Sequence, residues 1–309
     1  MDRIYITKTG PPPIVFQHPP PKGRYFAELL GLWILTLCCW TVYRFISHPY
    51  IKPFGSVEFY IGSVIFMPII WLTPIFLYWK FVRKETIPPV HFFPDFFPKR
   101  SFVIIGLIFG IILTLIDFIL IFIRSYAIFN SGLFGDTQIE FEFGFLDTES
   151  WLHYMIMALT NLLIVAIIEE FVFRGFLQNQ FERILPKWQS LALASILFGL
   201  THLPIAIIVY EMEGYWLVYS LIEWIGMGLL FGYAYQISRN IWLCIFWHGL
   251  YNVMLGTFTW SFVEIEKLPS EMVQFYVATL GLIVFFTTMM LLLYTSRNKF
   301  NNASLYTGI

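Results

Sequence analysis

Polar and apolar residues are segregated along this chain into long blocks. Apolar runs fall near 26–47, 57–79, 101–123, 151–177, 190–209, 215–236, 241–260 and 272–294, each close to the ~20 helical residues that cross a ~30 Å hydrocarbon layer. The pattern predicts an all-α membrane protein of eight transmembrane helices. The first 25 residues are polar and proline-rich (Pro11, Pro12, Pro13, Pro19, Pro20, Pro21). They have no apolar core near Met1, so they read as a cytosolic tail and not as a cleaved signal. One membrane domain over 26–296 and a short tail at 297–309 account for the rest, with no internal repeat and no second soluble domain.

Composition agrees with this pattern. Of 309 residues, 58% are hydrophobic and 13% charged, which excludes disorder and ordinary solubility, and the net charge of −1 gives no basic face for nucleic acid. Cys38, Cys39 and Cys244 lie inside apolar runs with no metal or disulfide spacing, and read as packing residues. The basic residues are unevenly placed. With the N-terminus inside, 14 Lys and Arg fall in inner segments and 4 in outer ones (Arg44, Lys52, Arg124, Lys267), while Arg174 lies within a span. Because basic residues are retained on the cytoplasmic side, both termini and the 80–100 segment are predicted cytoplasmic. The long acidic loop at 124–150 is predicted outside, and the compact loops suit a prokaryotic plasma membrane.

Ionisable groups inside a bilayer are costly, so the few present are informative: Asp117, Glu169, Glu170, Arg174, His202, Glu223 and His248, with the amides Asn161 and Asn252. Glu170 and Arg174 are an i,i+4 pair able to neutralise each other, whereas Glu169 lies about 140° around the helix from Arg174 and is free to face another helix. His248 and Asn252 are again i,i+4 and point from one face into one space. A lone buried histidine such as His202 is more often a packing residue. Depth changes that reading, since at ~1.5 Å per residue Glu169, His202 and His248 all lie ~12–18 Å from the inner ends of their spans. Three ionisable groups on three helices reach one layer.

Such a cluster suits hydrolysis in either of two ways. Glu169 can take a proton from a water oriented by His202, while His248 and Asn252 stabilise the oxyanion. Alternatively Glu169, His202 and His248 can ligate a zinc ion that activates the water. Asn252 beside His248 suits an oxyanion donor better than a ligand, so the metal-free form is preferred.

Taken in order, Glu169-Glu170-x-x-x-Arg174, Phe198-x-x-x-His202 and His248-x-x-x-Asn252 resemble the signature of the CPBP family of intramembrane proteases, which includes the type II CAAX prenyl endopeptidases. The resemblance covers about 85 residues, 169–252. It implies an eight-helix fold with a cavity open to the cytoplasmic side, and hydrolysis of a peptide bond in a membrane-associated peptide or protein. It also implies Glu169, His202, His248 and Asn252 as catalytic positions, with Glu170, Arg174 and Phe198 in support. Other intramembrane protease chemistries lack their motifs: no H-E-x-x-H and no G-x-S-x-G occurs. Nothing before residue 150 marks a prenyl-peptide site. A transporter using Asp117, Glu223, Glu169 and the histidines as a proton relay is the competing class, although no repeat symmetry between halves supports it.

Overall fold

The computed structural model describes residues 21–47, 57–83, 100–129, 138–143, 151–263 and 271–305. The proline-rich tail up to residue 20, the 84–99 linker and the last four residues, all expected in the cytoplasm, lie outside these. The apolar blocks become helices: α1 (Lys22–Ser47), α2 (Val57–Leu77, extended by a π-turn Tyr78–Arg83), α3 (Arg100–Phe129), α4 (Trp151–Phe181), α5 (Lys187–Thr201), α6 (Leu203–Ile208), α7 (Gly214–Ser238), α8 (Ile241–Thr257) and α9 (Glu271–Leu305). Among the described residues seven stretches, α5 and α6 counting as one, are long and apolar enough to cross a membrane. The eighth expected span is the shorter apolar helix Ile241–Leu255.

Two boundaries differ from the sequence expectation. The 241–260 block leaves the helix at Phe258 and forms β2 (Phe258–Val263), antiparallel to β1 (Gln138–Phe143), with Gln138 opposite Val263 and Phe143 opposite Phe258. The spans are helical as expected, and this ribbon between them is an addition. Its signal is legible, since Gln-Ile-Glu-Phe-Glu-Phe alternates strictly at the strand period. At the other end α9 continues to Leu305, so the segment expected as a tail from 297 begins as helix.

Among the described residues two large apolar clusters build the bundle, with a small third around Phe59, Tyr60 and Met157. Trp40 of α1 and Trp71 of α2 pack with Phe173 and Phe176 of α4, while Leu113 of α3, Phe231 of α7, Trp247 of α8 and Phe285 of α9 form the second. Helix α4 contributes to both, Phe173 to the first and Ala166 to the second, which puts its acidic residues at the seam. Small residues allow close approach where helices of equal apolarity gain nothing from expelling water. Gly106 and Gly110, an i,i+4 pair on α3, face the backbone of α8. A Cβ on Gly106 would lie 2.7 Å from the Leu243 nitrogen, and one on Gly110 would lie 2.7 Å from the Phe246 Cβ. Leu35, Ile65, Leu115 and Leu291 are exposed, as lipid-facing positions require.

Candidate active site

The site is assembled from α4, α5, α7 and α8. Helix α4 is not a regular α-helix: π-helical turns span Asn161–Val165 and Phe171–Gln178, on either side of a short α-helical segment Ala166–Glu170. π-bulges recur at functional sites. The Asn161 carboxamide donates to the Met157 carbonyl at 3.0 Å, a side-chain competitor for the helical ladder at the first of these turns. Across the start of the second, Arg174 Nη1 still donates to Glu170 Oε1 at 2.8 Å, and both residues are fully buried. Arg174 Nη2 donates to the Gly228 carbonyl of α7 at 3.0 Å. A Cβ at Gly228 would lie 3.1 Å from the Ser195 backbone of α5, so the glycine allows this close approach.

His202 sits at the break between α5 and α6. Pro204 follows two residues later and supplies no backbone N–H, which interrupts the helix here. The His202 Nδ1 lies 2.9 Å from the Phe198 carbonyl. Since a carbonyl only accepts, Nδ1 carries the hydrogen and Nε2 of the neutral ring holds the lone pair. Nε2 faces Glu169 Oε2 at 3.8 Å. Trp224 of α7 stacks on the imidazole at 4.9 Å and 22°, and the buried Phe198 ring packs against both site histidines.

His248 of α8 reaches across to both acids. Its Nδ1 is 2.8 Å from Glu170 Oε1, the same oxygen that accepts from Arg174, and its Nε2 is 3.7 Å from Glu169 Oε2. Phe231 stacks on this ring at 4.9 Å and 23°. The tautomer follows as before: Nδ1–H donates to Glu170, so Nε2 is an acceptor unless the ring is doubly protonated. Glu169 Oε2 is buried and has no hydrogen-bond partner among the described residues. The separations of 3.7 and 3.8 Å are too long for direct hydrogen bonds. One carboxylate oxygen and two nitrogen lone pairs therefore surround a gap that a proton donor such as water fits. The same three atoms are of the type that binds zinc, although among the described residues no group of three His, Cys, Asp or Glu is set at metal-binding spacing.

These atoms line a cavity of about 490 Å³, a size ordinary for small-ligand and peptide sites. Asn252 and Asn161 also line it. The cavity walls run to Arg44 near the end of α1, Tyr60 near the start of α2, His153 near the start of α4 and Tyr210 beyond α6. All four mark the end of the bundle opposite the start of α1. Burial pushes the Tyr210 hydroxyl above the ordinary phenol range, against the opposing pull of Arg44, so it remains an O–H donor.

The expected relay residues do not join up. Asp117 accepts a hydrogen bond from the Trp247 indole and does not line the cavity. Glu223 does line it, accepting from the Tyr251 hydroxyl at 3.1 Å. Each carboxylate pairs with a polar group of a neighbouring helix, and among the described residues no hydrogen-bonded chain joins Asp117 to the cavity. The sequence does not mark Arg44, Trp224 or Phe231 for chemistry. Arg44 comes from α1, whereas Trp224 and Phe231 share α7 seven residues apart, a spacing that reads as ordinary helical packing.

Fold and site together define a class: a multi-pass helical membrane protein whose buried carboxylate and imidazole groups converge in a cavity within the bundle. Residues 151–254 match the family model described as type II CAAX prenyl endopeptidase Rce1-like, and that family implies protease activity within a membrane. The match covers about a third of the chain, from α4 into α8, and agrees with the resemblance read from the three motifs. Neither a curated protein nor a solved structure matches the chain.

Proposed function

We propose that the protein is an intramembrane endopeptidase in which Glu169 activates the attacking water. The observation that carries this reading is the buried, unpartnered Glu169 Oε2 flanked by the Nε2 atoms of His202 and His248. A water in the gap gives one proton to Glu169 while His202 Nε2 accepts its other hydrogen and orients the lone pair. The water oxygen adds to the scissile carbonyl, and the resulting oxyanion accepts hydrogen bonds from Asn252 and His248. Because His248 Nδ1 is committed to Glu170, His248 donates from Nε2 only when both ring nitrogens carry a hydrogen. Glu169 then returns its proton to the leaving amine, the tetrahedral centre collapses, and an acid and an amine result. Zinc is the second reading, with Glu169, His202 and His248 as its ligands, since their three free electron pairs point to one gap. Bound there, the ion would lower the pKa of its water and polarise the carbonyl.

The substrate is a membrane-associated peptide or protein, reached through the walls of the cavity. The sequence expected both cytoplasmic termini and a cytoplasm-facing cavity, and these exclude each other if all eight helices cross. The cavity extends to the end of the bundle opposite Lys22. The 14-to-4 basic asymmetry is a direct count on this chain, whereas the cytoplasmic cavity rests on helix-depth reckoning from assumed span ends and on the resemblance. We therefore place the termini in the cytoplasm and the cavity toward the opposite face.

The test is incubation of the purified, metal-analysed protein in lipid vesicles with membrane-derived peptides in heavy-oxygen water. Products carrying one heavy oxygen at a new C-terminal carboxylate, formed without stoichiometric metal, are expected. Absence of cleavage over a broad peptide set would overturn the reading. Activity lost to chelators and restored by zinc would replace the metal-free form with the zinc form.

A further inference from the structure

Arg44 is the unexplained charge of the cavity. It lies three residues before the end of α1, is 3% exposed and lines the same cavity as Glu169. Its guanidinium is stacked among aromatic rings, 4.1 Å from the Trp40 centroid, 4.7 Å from Phe59 and 5.3 Å from Tyr43. No carboxylate forms an ion pair with it among the described residues, and its Nε is buried with no hydrogen-bond partner. Arg174 makes the contrast clear, being equally buried but held by Glu170 and the Gly228 carbonyl.

Glu169 shares the cavity and acts on Arg44 only at a distance, and a buried cation with no anion in direct contact is costly within a bilayer. Three ring faces offset part of that cost by cation–π attraction. They also hold the planar guanidinium in place, as a recognition site requires and as a flexible ammonium would not allow. None of the three rings, the Tyr43 hydroxyl included, makes a hydrogen bond to its N–H groups among the described residues. What completes such a site is a planar anion that can accept from the fork, and a carboxylate matches it.

On the reading that Glu169 hydrolyses a peptide bond, we infer that Arg44 is the carboxylate-binding residue of the substrate cavity. It anchors a carboxylate of the bound peptide, either the C-terminal one or that of an Asp or Glu side chain, so that the scissile bond lies toward Glu169. Specificity then depends on a charge beyond the cleaved bond, and α1, which lies outside the 151–254 match, takes part in choosing substrates.

The test uses one cleavable peptide in three forms, with a free C-terminal carboxylate, with a C-terminal amide, and amidated with a glutamate near the C-terminus. Binding is measured to the full-length Glu169→Gln protein in zwitterionic vesicles, and cleavage to the wild type and to Arg44→Gln and Arg44→Lys. The free acid is expected to bind about tenfold or more tightly than the amide, the scale of one charge-assisted hydrogen bond. Arg44→Gln should erase that preference, raising KM for the acid with kcat largely kept, and Arg44→Lys should restore part of it. If the amidated glutamate peptide binds as the acid does, the side-chain carboxylate is the source. Equal binding of all three forms to the Glu169→Gln protein, which retains Arg44, would overturn the inference even if Arg44→Gln fails to fold. Discrimination without cleavage by the wild type would instead sink the hydrolytic reading and leave the anion site standing.

Discussion

At the scale of single residues, Glu169 and Glu170 are adjacent in sequence yet differ in what they touch. Glu170 Oε1 accepts from both Arg174 and His248 at 2.8 Å, while Glu169 Oε2 is left to the gap. The Glu170–Arg174 pair is legible in the sequence because i,i+4 geometry is local. The His248–Glu170 contact is not, because it depends on how α8 is seated against α4. It also changes the expected phenotype. Glu170→Gln strands a buried Arg174, which costs about 3–5 kcal/mol, and replaces the charged acceptor that fixes the His248 tautomer with a weaker, neutral one. Thermal unfolding in detergent should show a marked loss for Glu170→Gln and substantial recovery for Glu170→Gln/Arg174→Gln. Peptide cleavage should stay low in both. Full activity in the double variant would mean that Glu170 serves packing alone.

At the scale of elements, the helices were legible from apolar block length, and their ends were not. The Pro204 break that sets the His202 backbone lies inside what reads as one continuous run, and the π-turns of α4 have no composition signature. The β1–β2 ribbon was legible in the alternation at 138–143 but is outweighed there by acidic loop composition. The contact of α3 with α8 rests on Gly106 and Gly110, whose added Cβ atoms would meet the Leu243 nitrogen and the Phe246 Cβ. Gly106→Val should therefore force the two helices apart and move the His248 wall of the site. We expect a loss of about 1–3 kcal/mol, typical of overpacking, read as a lowered Tm, with a larger kcat defect than the stability loss explains. An unchanged Tm and kcat would show that α3 does not seat α8.

At the scale of the whole molecule, the depth coincidence of Glu169, His202 and His248 was legible because helix rise converts sequence number to height. The face on which the cavity lies required the walls to be seen. Orientation is tested in a cysteine-free background, where Cys38, Cys39 and Cys244 are replaced. Glu213→Cys, exposed just before α7, should react with a membrane-impermeant maleimide in intact cells, and Asn301→Cys should not. The reverse pattern would put the cavity on the cytoplasmic side. The claim on which all of this rests is that the Glu169 cluster is where water is activated. Its most direct measurement is peptide cleavage by Glu169→Gln beside its thermal stability, in the same lipid and at the same protein concentration. The account predicts an unfolding temperature close to wild type and cleavage reduced about 100-fold or more, as loss of a general base requires. A Glu169→Gln protein that cleaves at the wild-type rate would contradict it.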